Sequence, residues 1–271
     1  MSLTQHSMLP NSPAGRTRTF AARWGPAVAV FMLGIALWEA LVRGFNIGTF
    51  LLPAPSQIAA ALAENGAFLL RIALYTFQEA LFGFIIGCAL GAAVAVLSVR
   101  WPWAADSLLP FAVASNAIPI IALAPLVGVW LGSTSQASKI AIVAIMCFFP
   151  TLINVYRGLV SPEPAALELM RSYAATPAQV FAKLRAPAAL PYLFNALRIS
   201  ATLSIIGAVV SEYFGGPLNS LGVYILQQAS VGRYTDAWAA IVVACALGIA
   251  FYLVIVAAER LAMPWHVSAR E

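Results

Sequence analysis

Two acids, Glu79 and Glu212, lie inside long apolar runs of this 271-residue chain, where a carboxyl can relay protons, pair with a cation or line a path. General acid–base or metal chemistry would need a histidine or more acids beside them. The two histidines, His6 and His266, fall in the terminal segments, so no acid–His pair and no metal site is expected. Cys88, Cys147 and Cys245 sit each in a separate apolar run. An odd number so placed reads as packing, not as a disulfide framework or a metal cluster. No G-x-x-x-x-G-K-S/T loop is present, and neither Lys139 nor Lys183 has the glycines such a loop requires. The third and fifth apolar runs also carry uncharged polar groups: Ser115 and Asn116 in one, Ser204 and Ser211, beside Glu212, in the other. In a membrane such groups face the bundle interior, where they bond neighbouring helices or line a path. Ser115, Asn116, Ser204, Ser211 and Glu212 are therefore the candidates for a translocation path. Glu212, near the outer end, reads as a gate or interface residue more readily than as a substrate ligand.

The elements that carry these residues are set by composition. The chain is 62% hydrophobic and 9% charged, against roughly 45–50% and about 25% in soluble domains. That leaves too little polar surface to coat a soluble globule and predicts an all-α, polytopic membrane protein. Crossing a bilayer takes about 20 apolar residues. Six segments qualify, at 26–43, 71–98, 107–131, 138–156, 192–214 and 237–258, within one membrane domain over 26–266. Residues 1–25 and 267–271 read as tails; the first apolar run lacks a small-x-small cleavage site and is expected to be retained. The third segment holds Pro110, Pro119 and Pro125 and is expected to be one kinked helix. Between the first two, Ser56 could cap a short helix lying at the outer surface. Gly83, Gly87 and Gly91 form a small-xxx-small seam, read as internal packing with a subunit interface as the alternative.

Charge sets the orientation. The formal net charge is +5, but the basic residues are scattered without interleaved aromatics, so nucleic acid is not the expected partner. With the N-terminus inside, eleven Lys and Arg fall on the cytoplasmic side, Arg100, Arg157, Arg171, Lys183, Arg185 and Arg260 among them. Only Arg43, Arg71, Lys139 and Arg233 fall outside. The positive-inside rule then puts both termini in the cytoplasm.

That orientation leaves a cytoplasmic loop over 158–190 with its own punctuation. Ser161-Pro162-Glu163 is a helix start, with a helix expected to about Ala174. Thr176-Pro177-Ala178-Gln179 repeats the signal at capping-box spacing, and Pro187 and Pro191 predict an end near Arg185. Ala166, Leu169, Met170 and Tyr173 form one apolar stripe; Val180, Phe181 and Leu184 form another. Glu168, Arg171, Gln179, Lys183 and Arg185 are expected on exposed faces. A capped helix–turn–helix of this kind either packs down on the membrane helices or docks into a groove on a partner protein.

The stretch Glu168 to Pro191 resembles the "EAA" loop of permease subunits of binding-protein-dependent bacterial ABC importers. Glu168, Arg171, Ser172, Ala175, Gln179, Pro187 and Pro191 match that motif. The chain departs from it at Leu169 and Met170, at Ala174 in place of a glycine, and at Ala186. Since the glycine makes a left-handed turn, Ala174 is expected to make a less sharp one. "IALAPLVGVWLG", "PYLFNALRISATLSIIGAVVSEYFGG" and "LGIAFYLVIVAAERLAMPW" are similar to the branch that imports nitrate, sulfonates, taurine and thiamine-precursor pyrimidines. The resemblance covers about residues 26–266.

It implies a type I importer permease fold with a cytoplasmic coupling helix, in a bacterial inner membrane. It implies a permease homodimer, two ATPase subunits that carry ATP and Mg, a periplasmic substrate-binding protein, and no cofactor bound by this chain. Glu168, Arg171, Ser172, Ala174, Ala175, Gln179, Phe181 and Lys183 would form the ATPase-coupling surface. A small organic nutrient with a heteroaromatic ring is the expected cargo, with sulfonate, taurine or nitrate as the alternative. Two other classes compete: an ion-coupled secondary transporter, which would use Glu79 and Glu212 but leaves the capped loop without a task, and a membrane enzyme, for which no constellation of groups exists.

Overall fold

The computed structural model describes residues 13–115 and 118–264, and every regular element among them is helical. The chain divides into two compact units, Met1–Ala60 and Ala61–Glu271. Five helices among the described residues are long and apolar enough to cross a membrane: Gly25–Gly44, Pro55–Arg100, Gln136–Val160, Pro177–Glu212 and Tyr234–Ala262.

In the first unit, α1 (Pro13–Gly44) begins well before residue 26 and carries Pro26 inside it. The next helix, α2, opens at Pro55. Ser56 is not a free-standing cap: its backbone N–H and hydroxyl both donate to the Glu39 carboxyl, at 3.0 and 2.7 Å. Arg43 pairs with the same carboxyl and donates to the Ser56 hydroxyl at 3.0 Å. Glu39 of α1 therefore serves as an N-terminal cap for α2, supplying a carboxyl to backbone N–H groups that have no acceptor within their own helix.

The short surface helix expected at residue 56 and the span expected at 71 are one element. The second helix runs from Pro55 to Arg100 without a break, 46 residues or about 69 Å at 1.5 Å per residue. No proline occurs between Ser56 and Arg100, and nothing else interrupts the helical hydrogen bonds. Gly83, Gly87 and Gly91 allow backbone-to-backbone packing on α5 (Gln136–Val160). A Cβ on Gly87 would lie 2.3 Å from the Ala144 carbonyl oxygen, and one on Gly91 2.6 Å from that of Phe148. The seam is internal to the protomer.

The third span is the main departure. In place of a single kinked helix over 107–131 there are α3 (Pro102–Ser115), a 3-10 turn at Ile120–Leu123, and α4 (Ala124–Leu131). Pro110 is tolerated inside α3, but Pro119 starts the 3-10 turn and Pro125 sits in the first turn of α4. Prolines six residues apart each withdraw an N–H and clash with the preceding turn, which breaks a helix instead of bending it.

Beyond α5 come α6 (Pro164–Ser172), α7 (Pro177–Val180), a π-turn at Phe181–Arg185, and α8 (Ala186–Glu212). Pro187 does not end the second loop helix as expected. The wider π-turn, in which the Ala186 N–H reaches back to the Phe181 carbonyl, makes room for the proline, and the helix continues into the membrane. A short helix that the sequence reading missed, α9 (Leu221–Ser230), follows, and α10 (Tyr234–Ala262) completes the chain. The core lies between α5 and its neighbours: Ala95, Ala112, Leu152, Leu159 and Ala189 are buried together, with Phe148, Phe149 and Phe181 packed on them. Phe251 of α10 sets its ring edge-on to Phe77 and Phe84 of α2, and Glu259 pairs with Arg198 of α8 at 3.3 Å.

Candidate functional site

The loop between α5 and α8 is built from caps. Ser161 does not open α6; its hydroxyl donates to the Gly158 carbonyl at the end of α5, and Glu163-Pro164 starts the helix two residues later. At the other end the Ala175 N–H donates to the Met170 carbonyl (3.0 Å) and the Ala174 N–H to that of Arg171 (2.9 Å). This is a Schellman ending, which needs a left-handed residue at its penultimate position. Ala174 supplies it with φ +52°. The turn is therefore fully left-handed and as sharp as a glycine would make it, at a steric cost of about 1–2 kcal/mol. The end of α9 makes the same pair of bonds with Gly232 in that role, φ +78°.

Thr176 and Gln179 form the expected capping box: the Gln179 N–H donates to the Thr176 hydroxyl at 3.3 Å, and the Thr176 N–H to the Gln179 side-chain oxygen at 2.8 Å. Gln179 is thus occupied locally. The Ser172 hydroxyl is also local, donating to the Leu169 carbonyl at 2.8 Å. Glu168 and Lys183 are exposed, and among the described residues Glu168 makes no ion pair with Arg171.

The faces of α6 divide. Leu167 and Arg171 line a cavity of about 820 Å³ together with Ala175, Pro177, Phe181, Arg185 and the end of α2. Leu169 and Tyr173 lie on the opposite side, 56% and 77% exposed. The expected apolar stripe is therefore split: Ala166 and Met170 are half-buried, while Leu169 and Tyr173 form an apolar patch beside Glu168. Phe181 is half-buried against the core of its own protomer.

Three of the expected path residues are buried within the protomer. Ser115, Ser204 and Ser211 are buried, and each hydroxyl donates to a carbonyl of its own helix: Phe111, Ala201 and Ala208, at 2.8–2.9 Å. Serine in a membrane helix can satisfy itself by this back-bonding, so its polarity does not mark a path. Asn116 lies outside the described residues.

Glu212 is 1% exposed and works as a staple. Its carboxyl accepts the Thr76 hydroxyl of α2 at 2.8 Å and the Gly222 N–H at the start of α9 at 2.5 Å. The Leu221 N–H in turn donates to the Thr76 hydroxyl at 2.9 Å. Two backbone donors of α9 that lack partners in their own helix are satisfied by side chains from α8 and α2. Glu79, fully buried, lies beside Glu212, and its carboxyl takes no other hydrogen bond among the described residues. Lys139 stands close enough to act on both and donates to the Ser133 carbonyl and the Ser138 hydroxyl. Hydrogen bonds in this cluster tie together α2, α8 and α9, with Lys139 of α5 nearby, and the cluster is closed to solvent. Gly222 is required there, since a Cβ would lie 2.3 Å from the Val209 carbonyl oxygen.

Polar groups in an open position lie instead on α2, where sequence reasoning did not look. Arg71 and Gln78 are exposed one turn apart from Tyr75, which is half-buried. With Phe68 and Asn219 they border a cavity of about 470 Å³, and the Arg71 guanidinium lies 5.7 Å from the Phe68 ring centre. The available signal was their spacing: residues 71, 75 and 78 recur at helical intervals, three polar-ended side chains on one face of an apolar helix.

A family model described as the binding-protein-dependent transport system inner membrane component matches residues 83–263. The formylaminopyrimidine transport permease protein ThiX of Halalkalibacterium halodurans is 33% identical over 242 residues, 87% of this chain and 94% of that protein. The riboflavin transport system permease protein RibX of Chloroflexus aurantiacus is 29% identical, covering 88% of each chain. The aliphatic sulfonates transport permease protein SsuC of Bacillus subtilis, whose name is qualified as putative, is 25% identical over 89% of this chain and 88% of its own. Among solved structures, a chain of the inward-facing MetNI methionine ABC transporter aligns with 78% of this chain and 96% of its own, at 24% identity and a TM-score of 0.50. That likeness is one of fold.

Proposed function

This chain belongs to the family of binding-protein-dependent transport system inner membrane components, and from that premise we propose that it forms the path for a thiamine-precursor-like pyrimidine or related heterocycle. It is a multi-pass permease subunit of an ABC importer for small molecules, with the type I permease fold. The ion-coupled secondary transporter and the membrane enzyme drop out.

In the proposed arrangement two copies of the permease form the path, two ATPase subunits bind ATP and Mg, and a periplasmic protein delivers substrate. Both termini and the α6–α7 loop face the cytoplasm. The exposed face of α6, with Glu168, Leu169 and Tyr173, seats in a groove of the ATPase: apolar side chains fill it and Glu168 pairs with a basic residue. Closure of the ATPase pair then moves α6. Because α7 runs through the π-turn into α8 without an end, that displacement reaches the membrane segment directly.

The observation that carries the cargo assignment is the face of α2. Arg71, Tyr75 and Gln78, with Phe68 and Asn219 beside them, offer two rings to stack on and two amides that both donate and accept. Such a set suits a planar heterocycle with alternating donors and acceptors. The identity to a formylaminopyrimidine permease points the same way. The Glu212 carboxyl, buried and bonded, has no part in the cargo assignment. Sulfonate or taurine remains the second reading, favoured by Arg71 and by the more distant aliphatic sulfonates relative.

Uptake in a strain deleted for this permease and complemented with it decides between them. Accumulation of a labelled aminopyrimidine, competed by unlabelled pyrimidine and not by taurine, is the expected result. Stimulation of sulfonate, taurine or nitrate uptake alone overturns the assignment.

A further inference from the structure

We propose that the cavity between the end of α2 and the α6–α7 loop is a binding site for an acidic phospholipid of the cytoplasmic leaflet; this rests on the topology proposed above. The cavity, about 820 Å³, has walls of two kinds. Val96, Leu97 and Val99 of α2, with Leu167, Val180 and Phe181 of the loop, make it apolar. Arg100, Arg171 and Arg185 add three guanidinium groups, and the described lining contains no acid. Arg185 spends one N–H on the Leu159 carbonyl at 3.3 Å. Arg100 and Arg171 form no ion pair among the described residues. Uncompensated cations converging over an apolar wall call for a ligand with an anionic head and an apolar tail.

The position of the cavity identifies the source of that ligand. Leu97 is 49% exposed on the outside of α2, so the apolar wall continues onto the surface that contacts lipid. Directly after Arg100 come Trp101 and Trp103, 46% and 70% exposed. Exposed tryptophans following an apolar span mark the headgroup level of a bilayer. The cavity therefore opens at headgroup depth, with guanidinium groups for a phosphate and hydrocarbon below for an acyl chain. Basic pockets between membrane helices on the cytoplasmic side bind acidic headgroups in this way.

The site also gives Arg171 a task that differs from docking. It stands on the cavity side of α6, away from Leu169 and Tyr173, so a bound phosphate would tie α6 to the end of α2. The lipid would then set the resting position of the helix that the ATPase moves.

The test uses the intact permease–ATPase complex in nanodiscs of mixed phosphatidylglycerol and phosphatidylethanolamine, with native mass spectrometry of the lipids retained on extraction. The wild type is expected to retain phosphatidylglycerol over phosphatidylethanolamine. Arg100→Gln should lower that preference about fivefold. Leu97→Trp, which fills the cavity while leaving its charges, should lower it comparably and covers the case in which Arg100→Gln does not assemble. Arg260→Gln, which removes a charge at the end of α10 outside the cavity, should leave it unchanged. Equal retention of the two lipids by the wild type, or unaltered preference in both cavity variants, overturns the proposal. So does displacement of the lipid by soluble glycerol phosphate, which would mark a plain anion site. Loss of the lipid whenever ATPase is bound would assign the cavity to the ATPase seat and equally overturn it. ATPase association is read in the same spectra. A coupling loop that proves dispensable while the lipid preference persists sinks the coupling reading and leaves the lipid site standing.

Discussion

Single residues in this protein act through the backbone more than through open chemistry. Glu212 is the strongest case, because its carboxyl holds a backbone N–H of α9 and the Thr76 hydroxyl in a buried site. Removing one partner of a buried hydrogen bond to a carboxyl costs about 1–3 kcal/mol. Glu212→Ala and Thr76→Val are each expected to lower the melting temperature in detergent and to raise amide exchange in α9. Wild-type melting with unchanged exchange in both would show that α9 is held by packing alone. Ala174 is the second case. Its φ of +52° is open to glycine without strain and is worse for a β-branched residue. Ala174→Gly should transport as well as the wild type, whereas Ala174→Val should lose uptake while remaining in the membrane; equal uptake by the two would mean that the turn tolerates another geometry. Glu168 acts outward. Glu168→Lys is expected to leave the protein in the membrane, weaken ATPase association in a pull-down and abolish uptake, because it sets a cation against a basic groove. Normal transport by that variant would remove Glu168 from the coupling surface.

At the scale of elements, the close seam between α2 and α5 has the clearest consequence. A Cβ at Gly87 meets a backbone carbonyl oxygen at 2.3 Å, so no side-chain rearrangement can make room. Gly87→Leu should destabilise by about 1–3 kcal/mol or more, seen as an earlier thermal transition. A wild-type transition would contradict the internal seam. The glycine spacing made this seam legible beforehand, as Thr176 and Gln179 did for the capping box, because both depend on short-range geometry. Three things were not legible. The length of α2 was hidden by the Leu52-Pro53-Ala54-Pro55 start, which reads as a loop with a short helix after it. The passage of the loop helix through Pro187 depends on a π-turn, and no residue preference announces one. The α9 helix carries no side-chain cap of its own, since Thr76, distant in sequence, and Glu212 of the preceding helix provide it. The serines pose a related problem: a hydroxyl satisfied by its own helix looks, in sequence, the same as one facing a path.

For the whole molecule, the governing prediction is topology. Both termini and Gln179 are placed inside, with Asn219 outside, from the distribution of Lys and Arg. Gln179 and Asn219 are both exposed, so a cysteine at either position is accessible to reagents. A membrane-impermeant maleimide should label position 219 in intact spheroplasts and position 179 only after lysis. Labelling of 179 from outside would invert the topology and with it the coupling role and the lipid site. Glu79, Glu212 and Lys139 are gathered into one closed cluster, while the open polar face, Arg71 to Gln78, carries no acid.

The fastening of α9 also constrains how the protein is made. Thr76 and Glu79 enter the bilayer with α2, long before the ribosome reaches residues 212–222. Until those arrive, each intramembrane carboxyl lacks its final surroundings, and an acid in mid-helix costs about 2.5–3.5 kcal/mol on insertion scales. The high hydropathy of α2 offsets that cost for Glu79. Glu212 instead stands at the end of its helix and is joined by the Gly222 amide of α9 only ten residues later. Assembly is thus ordered, with the closing step waiting on the penultimate helix. A nascent chain halted after residue 214 should be extracted from the membrane and degraded far more readily than one halted after residue 232.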